Sequence, residues 1–302
     1  MLFCIMRVIH ADILQKLKTV VRRIEMAAAF DGHEPEAFNN LTSLKVLTNA
    51  VGMSERSLRD WFKVFTGESI SKYASRRRAE YAARIYRLFP DTSNSDVSTM
   101  IGFSNTPAFY PFMKKQGVEN IDALKGSFNT SEFKTLDYRM ERLPECVMFY
   151  TLEDVLYEEC SAAEFEAENW DKIENYVKGK FPEAVKMGDV GFAIDRYMEN
   201  KLEEGLFISG VIFKNIPIGD PSADLLGEIG RRILPSKKYA VFTHKGVYKE
   251  LSEFYFSALY TLHQNKNILI EKSLLIMEKY LNSPVDTPTE ELMTEIWVPI
   301  VS

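Results

Sequence analysis

Two short turns of the same type constrain the fold of this chain more than any other feature of its sequence. Gly52-Met-Ser54 and Gly102-Phe-Ser104 each separate a short stretch of helical periodicity from a second, amphipathic stretch. A glycine after the first stretch can adopt the positive φ that ends a helix, and a serine two residues later is a preferred helix N-cap. The repeat therefore predicts two helix-turn-helix units in the front part of the chain.

The first unit is predicted from its caps and its apolar stripes. Thr42 or Ser43 is the expected N-cap of a helix that Gly52 ends, and Ser54 is the expected N-cap of a helix that Gly67 ends. Leu44, Leu47 and Val51 form the apolar stripe of the first helix. The residues expected to face inward on the second helix are Leu58, Trp61, Phe62 and Phe65.

Further helices are predicted around this pair. Apolar periodicity from Ala11 to Ala29 indicates an amphipathic helix that covers the core. A long helix is predicted from Ile70 to Leu88, with arginines that suit contact with phosphate, namely Arg76, Arg77, Arg78, Arg84 and Arg87. In the second unit a helix from Ser95 to Met100 precedes one that we expect Ser104 to cap, with Phe109, Phe112 and Met113 facing inward.

A short helix held to its partner by a tight glycine turn has the geometry that enters the major groove of DNA. An ordinary helical hairpin has the same sequence pattern, so both interpretations remain open at this point. If the units bind DNA, the side chains on their outer faces contact bases and phosphates. These candidates are Ser54, Arg56, Ser57, Arg59 and Lys63 in the first unit and Asn105 and Thr106 in the second.

Residues 8–126 resemble the AraC/XylS family of transcription regulators, on the basis of motifs such as Val51-Gly-Met-Ser54 and Ile101-Gly-Phe-Ser104. The resemblance implies an all-α domain with tandem helix-turn-helix units that binds double-stranded DNA. The chain departs from the family at Asp60 and Pro111, where the family usually carries arginine. Both changes weaken the expected DNA contact, and a proline inside a helix costs about 3 kcal/mol.

Charge divides the chain into a basic front and an acidic back. Residues 1–136 contain 19 Lys and Arg against 14 Asp and Glu, whereas the remaining residues contain 18 against 29. This asymmetry favours contact of the front part alone with a polyanion.

Cysteine usage and hydropathy indicate a cytoplasmic protein. The three cysteines, Cys4, Cys146 and Cys160, lack the paired spacing of a disulfide framework or a zinc knuckle, so we expect free thiols in a reducing compartment. No apolar run approaches the roughly 18 residues that a membrane span needs, so we expect no membrane partner.

After a polar link at residues 127–137, the periodicity changes to that of strands alternating with helices. Strands are predicted at residues 146–152, 189–198, 205–213, 238–244, 273–281 and 293–300, and helices at residues 162–178 and 248–263. The order is a duplicated βαββ pattern, which predicts an α+β domain with helices on one face of a sheet. We expect the other face to be concave and to hold the functional residues.

One carboxylate, Glu278, interrupts an otherwise apolar strand in the second repeat. Alternation places Leu274, Ile276, Glu278 and Tyr280 on one face. A buried carboxylate without a partner is costly, so either a cationic ligand completes the site or Glu278 is a solvated edge residue.

Residues 138–302 resemble GyrI-like effector-binding domains, on the basis of segments such as Met277-Glu278-Lys-Tyr280 and Phe207-Ile-Ser-Gly210. In that family the glutamate at the Glu278 position lies in a pocket ringed by aromatic residues and binds cationic amphiphiles. The resemblance therefore implies a ligand site formed by Glu278, Trp170, Phe207, Tyr280 and Trp297.

Together the two resemblances predict a DNA-binding transcription regulator that responds to a small amphipathic ligand, expected to be cationic. We expect a DNA-binding domain at residues 1–126, a linker at 127–137 and an effector-binding domain at 138–302. This order resembles the Rob type of AraC-family regulator, which implies RNA polymerase as a further partner.

Two alternative functions remain. One is a ligand-sequestering or partner-binding protein with weakened DNA binding, and the other is a GyrI-like small-molecule hydrolase that uses Glu278 as general base. No Ser/His/Asp order and no metal-ligand spacing supports catalysis. We therefore expect no enzymatic activity, catalytic residue, metal or cofactor.

Overall fold

The computed structural model of the chain describes residues 10–31, 37–125, 133–156, 163–196, 201–217, 229–273 and 275–301. The chain divides into two compact units. The first is built mainly from residues 10–82 and 93–119, and the second mainly from residues 83–92, 120–217 and 231–301. Among the described residues, no helix is both long enough and apolar enough to cross a membrane.

The front part of the chain is helical, as the sequence predicts. Its helices are α1 (Ala11–Met26), which continues as a π-helical turn (Ala27–Asp31), α2 (Ala37–Leu41), α3 (Leu44–Val51), α4 (Glu55–Thr66), α5 (Ile70–Leu88), α6 (Asn94–Met100) and α7 (Thr106–Lys115), followed by a 3-10 turn (Ile121–Leu124).

Local sequence rules explain where α3 and α4 begin and where α3 ends. The Ser43 hydroxyl accepts a hydrogen bond from the backbone N–H of Val46 at 3.4 Å, and the Ser54 hydroxyl accepts one from that of Ser57 at 3.2 Å. Gly52 lies between the two helices at φ 62°, a left-handed conformation that is unfavourable for residues with a Cβ. The predicted caps and the predicted turn are confirmed.

One hydrophobic core holds α1, α3, α4 and the start of α5 together. Its fully buried side chains include Leu17, Val20, Ile24, Leu47, Leu58 and Phe62. Two aromatic residues of α4 that were expected in this core lie at its margin. Trp61 is half-buried, and Phe65 is 36% exposed because it lies in the last turn of the helix.

The arginines of α5 differ most from the expectation. Arg77, Arg78 and Arg84 are buried, which contradicts their predicted contact with phosphate. Arg77 instead donates to a carboxylate oxygen of Glu25 in α1 at 2.8 Å, and the Tyr73 hydroxyl donates to the other oxygen. Burial has the largest single effect on the pKa of Arg77 and lowers it, but the charge and hydrogen bond of Glu25, together with Tyr73 and Glu80, raise this pKa overall.

Arg78 joins the two helix-turn-helix units through aromatic and backbone contacts. Its guanidinium lies 4.0 Å from the ring centroid of Phe103 and 5.2 Å from that of Phe38, and it donates to the Ile101 carbonyl at 2.5 Å. Desolvation lowers the pKa of Arg78 to about 10. Arg76 differs again, because it forms an ion pair with Glu68 at 2.6 Å.

The second helix-turn-helix has a different N-cap from the one predicted. Asn105, not Ser104, caps α7, because its side-chain oxygen accepts a hydrogen bond from the backbone N–H of Ala108 at 3.1 Å. Asparagine is as strong an N-cap as serine, and this start places Pro107 in the first turn, where proline is tolerated. The helix continues through Pro111, with Phe109 and Met113 fully buried and Phe112 half-buried.

The second compact part of the chain, which follows both helix-turn-helix units, is a duplicated α+β domain. It is built on one curled antiparallel sheet of eight strands. The strands are β1 (Arg139–Leu143), β2 (Cys146–Leu156), β3 (Val185–Arg196), β4 (Lys201–Lys214), β5 (Gly230–Leu234), β6 (Lys237–Lys245), β7 (Met277–Tyr280) and β8 (Met293–Ile300), and the helices are α8 (Ala163–Lys180) and α9 (Leu251–Gln264). The two predicted repeats are β2-α8-β3-β4 and β6-α9-β7-β8. The predicted fold class is confirmed for both parts of the chain.

Strand order shows how the two repeats share one sheet. The order is β1-β6-β8-β7-β3-β4-β2-β5, so the repeats meet at the β7–β3 pair. β1 precedes the first repeat in the sequence but pairs with β6 of the second repeat. β5 precedes the second repeat but lies beside β2 of the first. The sequence analysis missed both edge strands because they are rich in charge. In β1, for example, only Leu143 is buried, and edge strands commonly carry charged side chains.

The cysteine and the histidines that the structure describes form no recognised metal site. Cys146 is a buried free thiol, and burial raises its pKa to about 11. Cys4, Cys160, His33 and Leu274 lie outside the described residues. Within the described ranges, no group of three or more His, Cys, Asp or Glu side chains could hold a metal ion.

Candidate functional sites

The outer face of α4 carries the predicted DNA-binding side chains of the first unit. Arg56, Ser57, Arg59 and Lys63 are all exposed, and the side chain of Arg56 is 94% exposed. The opposite side of the same helix buries Leu58 and Phe62. Because this hydrophobic stripe fixes the rotation of α4, the basic side chains remain on its outer surface.

Acidic side chains one turn away pair with the two arginines. Arg59 forms an ion pair with Glu55 at 3.1 Å, and Arg56 lies 4.0 Å from Asp60. Exposed pairs at this helical spacing contribute only about 0.3–0.5 kcal/mol. DNA phosphates can therefore compete for both guanidinium groups, although Asp60 opposes their approach electrostatically.

Three other predicted DNA-binding residues lie at helix starts. Ser54 and Asn105 are the N-caps of α4 and α7, and Ser54 also donates to the Ser57 hydroxyl at 3.0 Å. Thr106 is the first residue of α7 and is half-buried. The capping bonds occupy the side-chain oxygens of Ser54 and Asn105, so base contact by these residues stays a prediction.

Glu278 lies on the face of the sheet that the helices cover. Its two carboxylate oxygens accept hydrogen bonds from the hydroxyls of Tyr255 in α9, at 2.7 Å, and of Tyr280 in β7, at 2.6 Å. Glu278 is 5% exposed, which excludes the solvated alternative. Hydrogen bonds to a charged group are worth about 1.5–3 kcal/mol each, and these two offset part of the cost of burying a carboxylate.

The opposite face of the sheet also carries buried side chains. Val190, Ile212 and Met277 are almost completely buried there. The expectation that Glu278 lies on a concave face away from the helices is therefore wrong. Alternation predicts which residues share a face but does not say which face the helices cover.

Aromatic side chains lie near the carboxylate, among them Trp170, Phe207 and Tyr280, whose contact with a ligand stays a prediction. The Trp170 ring in α8 lies 4.7 Å from the Tyr280 ring, measured between centroids. A Cβ atom on Gly191 would lie 2.4 Å from the ring of Phe207 and 2.9 Å from the Tyr280 hydroxyl, so both rings lie directly over Gly191. Gly191 pairs with Glu278 across the β3–β7 register.

Trp297 does not belong to this group. Register pairs Glu278 with Ile296 and Met277 with Trp297, so the indole of Trp297 points to the other face of the sheet. There its N–H donates to Glu295 at 2.9 Å, and the Lys279 ammonium lies 5.3 Å from its ring centroid.

Three residues of the site were missed in the sequence. Tyr255 binds Glu278, the Tyr248 ring lies 5.5 Å from that of Tyr280, and Gly191 admits the rings of Phe207 and Tyr280. Tyr248 and Tyr255 are seven residues apart within the predicted second helix, a spacing that places both on one helix face. That spacing is the signal that could have identified them.

A buried carboxylate among aromatic rings is suited to a cation with apolar substituents. Aromatic faces attract cations, and the attraction strengthens where water is excluded. The carboxylate supplies a countercharge in the same space. The arrangement has the chemistry of a binding site.

Two domain families match the chain. A helix-turn-helix domain of the AraC type matches residues 47–117, and a GyrI-like small molecule binding domain matches residues 199–301. Both resemblances inferred from the sequence are thereby confirmed. No curated protein matches the chain.

Several solved structures are similar to parts of the chain at low identity. The C-terminal domain of EcmrR is 16% identical, with 56% of this chain and 99% of that chain covered and a TM-score of 0.41. SAV2435 bound to tetraphenylphosphonium is 21% identical, with 55% and 95% covered and a TM-score of 0.36. EcmrR in a complex with DNA is 14% identical, with 87% and 82% covered and a TM-score of 0.41.

Proposed function

Because the chain carries an AraC-type helix-turn-helix domain and a GyrI-like small molecule binding domain, we propose that it is a transcription regulator whose DNA binding responds to an amphipathic cation. The two activities reside in separate parts of the chain. Residues 1–126 bind DNA, residues 127–137 link the parts, and residues 138–302 bind the ligand. Contact with RNA polymerase and residence in the cytoplasm stay predictions from the sequence.

The buried carboxylate of Glu278 carries the ligand assignment. It is 5% exposed and accepts hydrogen bonds from two tyrosine hydroxyls. The ring of Trp170 in α8 packs against the ring of one of these tyrosines, Tyr280. A cation gains both from the carboxylate and from the ring faces, whereas an anion is repelled. The apolar rings favour ligands whose charge is flanked by hydrophobic groups.

The exposed face of α4 supports the DNA assignment. Its basic side chains are held outward by the buried stripe, and its ion pairs are weak enough for phosphate to replace them. We assign phosphate and base contact chiefly to Arg56, Arg59 and Lys63.

Calorimetric titration of the full chain with tetraphenylphosphonium tests the ligand assignment. We expect saturable binding to the wild-type chain and at least about tenfold weaker binding after Glu278→Gln, which corresponds to about 1.4 kcal/mol. Glu253→Gln is the matched control, because Glu253 is an exposed carboxylate on α9. Equal affinity of Glu278→Gln and Glu253→Gln would refute the assignment of Glu278.

A further inference from the structure

Two neighbouring residues of α8 bury hydrogen-bond donors for which the described part of the chain supplies no acceptor. Trp170 is 5% exposed and Asn169 is 7% exposed. Among the described residues, neither the indole Nε1 of Trp170 nor the amide Nδ2 of Asn169 has a hydrogen-bond partner. The Thr151 side chain in β2 is 3% exposed, and its hydroxyl also has no hydrogen-bond partner among the described residues.

Buried donors without partners are rare in folded proteins, because they lose their bonds to water and gain nothing in return. The indole N–H of Trp170 is a particularly informative case. It can donate but cannot accept, so an acceptor is the only kind of partner that satisfies it. A hydrogen-bond acceptor on a ligand would satisfy the indole N–H of Trp170.

The position of Trp170 connects this donor to the ligand site. Its ring lies 4.7 Å from that of Tyr280, whose hydroxyl donates to Glu278. Thr151 lies on the same face of the sheet as Glu278. Across neighbouring strands, Thr151 pairs with Ser209, Ser209 with Gly191, and Gly191 with Glu278. The site thus has an acceptor end at Glu278 and a donor end beside α8.

We propose that the ligand of this site is an amphipathic cation that also carries a hydrogen-bond acceptor such as a carbonyl oxygen, and that the indole N–H of Trp170 binds this acceptor. The inference rests on the proposed function and narrows its ligand class. A cation without an acceptor still gains from Glu278 and the rings, but it leaves the Trp170 N–H unpaired. Trp170 in α8, and not Glu278, therefore distinguishes cations that carry an acceptor from cations that do not.

A matched pair of quaternary ammonium ions separates the two interactions. (4-Benzoylbenzyl)trimethylammonium and (4-benzylbenzyl)trimethylammonium have the same charge and differ by a ketone in place of a methylene. Titration calorimetry of the full wild-type chain is expected to give about fivefold tighter binding of the ketone, the usual range for one neutral hydrogen bond. Trp170→Phe keeps an aromatic ring and is expected to bind both ions equally, whereas Asn169→Ala keeps the preference.

Failure of this inference is distinguishable from failure of the proposed function. If both ions bind equally to the wild-type chain and both bind less tightly to Glu278→Gln, the acceptor requirement is wrong and the cation site stands. If neither ion binds to the wild-type chain, the proposed function fails together with the inference. A preference that survives Trp170→Phe also overturns the assignment to Trp170.

A second measurement needs no variant and therefore does not depend on how Trp170→Phe folds. The chain contains three tryptophans, so 15N labelling of tryptophan gives three indole signals in solution NMR. The ketone is expected to move one indole proton signal downfield, as a new hydrogen bond does, and the methylene ion is not. Identical indole shifts with the two saturating ions would contradict the proposal.

Discussion

Substitution of Gly191 by alanine tests the packing of the Glu278 site. The added Cβ would lie 2.4 Å from the Cζ atom of Phe207 and 2.9 Å from the Tyr280 hydroxyl. Carbon atoms in contact are normally about 3.5–4.0 Å apart. The Phe207 ring must therefore move by about 1 Å, and Tyr280 cannot keep its present position beside Glu278.

The expected loss of stability follows from two opposing effects. Forcing a methyl group into a packed core costs about 1–3 kcal/mol. Replacing glycine by alanine returns about 0.4–1 kcal/mol, because the unfolded chain loses conformational freedom. The net loss at Gly191 therefore lies between about 0 and about 2.6 kcal/mol, with a central value of about 1.3 kcal/mol. At Gly179 in α8 nothing lies within 4 Å of an added Cβ, so alanine there is expected to stabilise by up to about 1 kcal/mol.

Urea unfolding followed by tryptophan fluorescence measures this difference, because Trp170 and Trp297 both belong to the second unit. We expect a lower unfolding midpoint and weaker tetraphenylphosphonium binding for Gly191→Ala, and neither change for Gly179→Ala. If Gly191→Ala unfolds at the same urea concentration as the wild-type chain and binds equally well, the rings of Phe207 and Tyr280 do not lie over Gly191.

Two further predictions concern the helical unit. Glu25→Gln removes the carboxylate that pairs with the buried Arg77 and is expected to cost about 3–5 kcal/mol in chemical denaturation. Glu55→Gln on the surface is expected to cost less than about 0.5 kcal/mol. Similar losses for both variants would show that Arg77 does not need Glu25 as its partner. Arg59→Ala is expected to weaken DNA binding and to reduce the slope of log affinity against log salt by about 1, whereas Asp60→Ala strengthens binding. An unchanged slope in a fluorescence anisotropy titration would exclude phosphate contact by Arg59.

Local rules made the helix-turn-helix predictable. The N-caps Ser43 and Ser54 and the left-handed Gly52 depend on residues within one turn of each other. The arginines of α5 were mispredicted because their partners are distant in sequence. Arg77 pairs with Glu25 of α1, and a run of basic residues gives no sign that one of them is neutralised in a core.

The candidate ligand site was predictable only within single strands. Alternation correctly placed Glu278 and Tyr280 on one face of β7. It could not relate that face to β8, because the register between strands decides that Ile296, and not Trp297, lies opposite Glu278. The sequence also did not predict which face the helices cover, because that depends on which side of the sheet α8 and α9 pack against.

The proposed regulator couples two binding events, and the coupling itself is measurable. The direct test is the affinity of the full chain for the DNA upstream of its own gene, with and without saturating tetraphenylphosphonium. We expect the cation to change this affinity at least about fivefold, the lower end of typical coupling between sites, and to have no effect on Glu278→Gln. Specific DNA binding that is the same with and without the cation would contradict the account, and binding no tighter than to unrelated DNA at moderate salt would favour a ligand-sequestering protein instead.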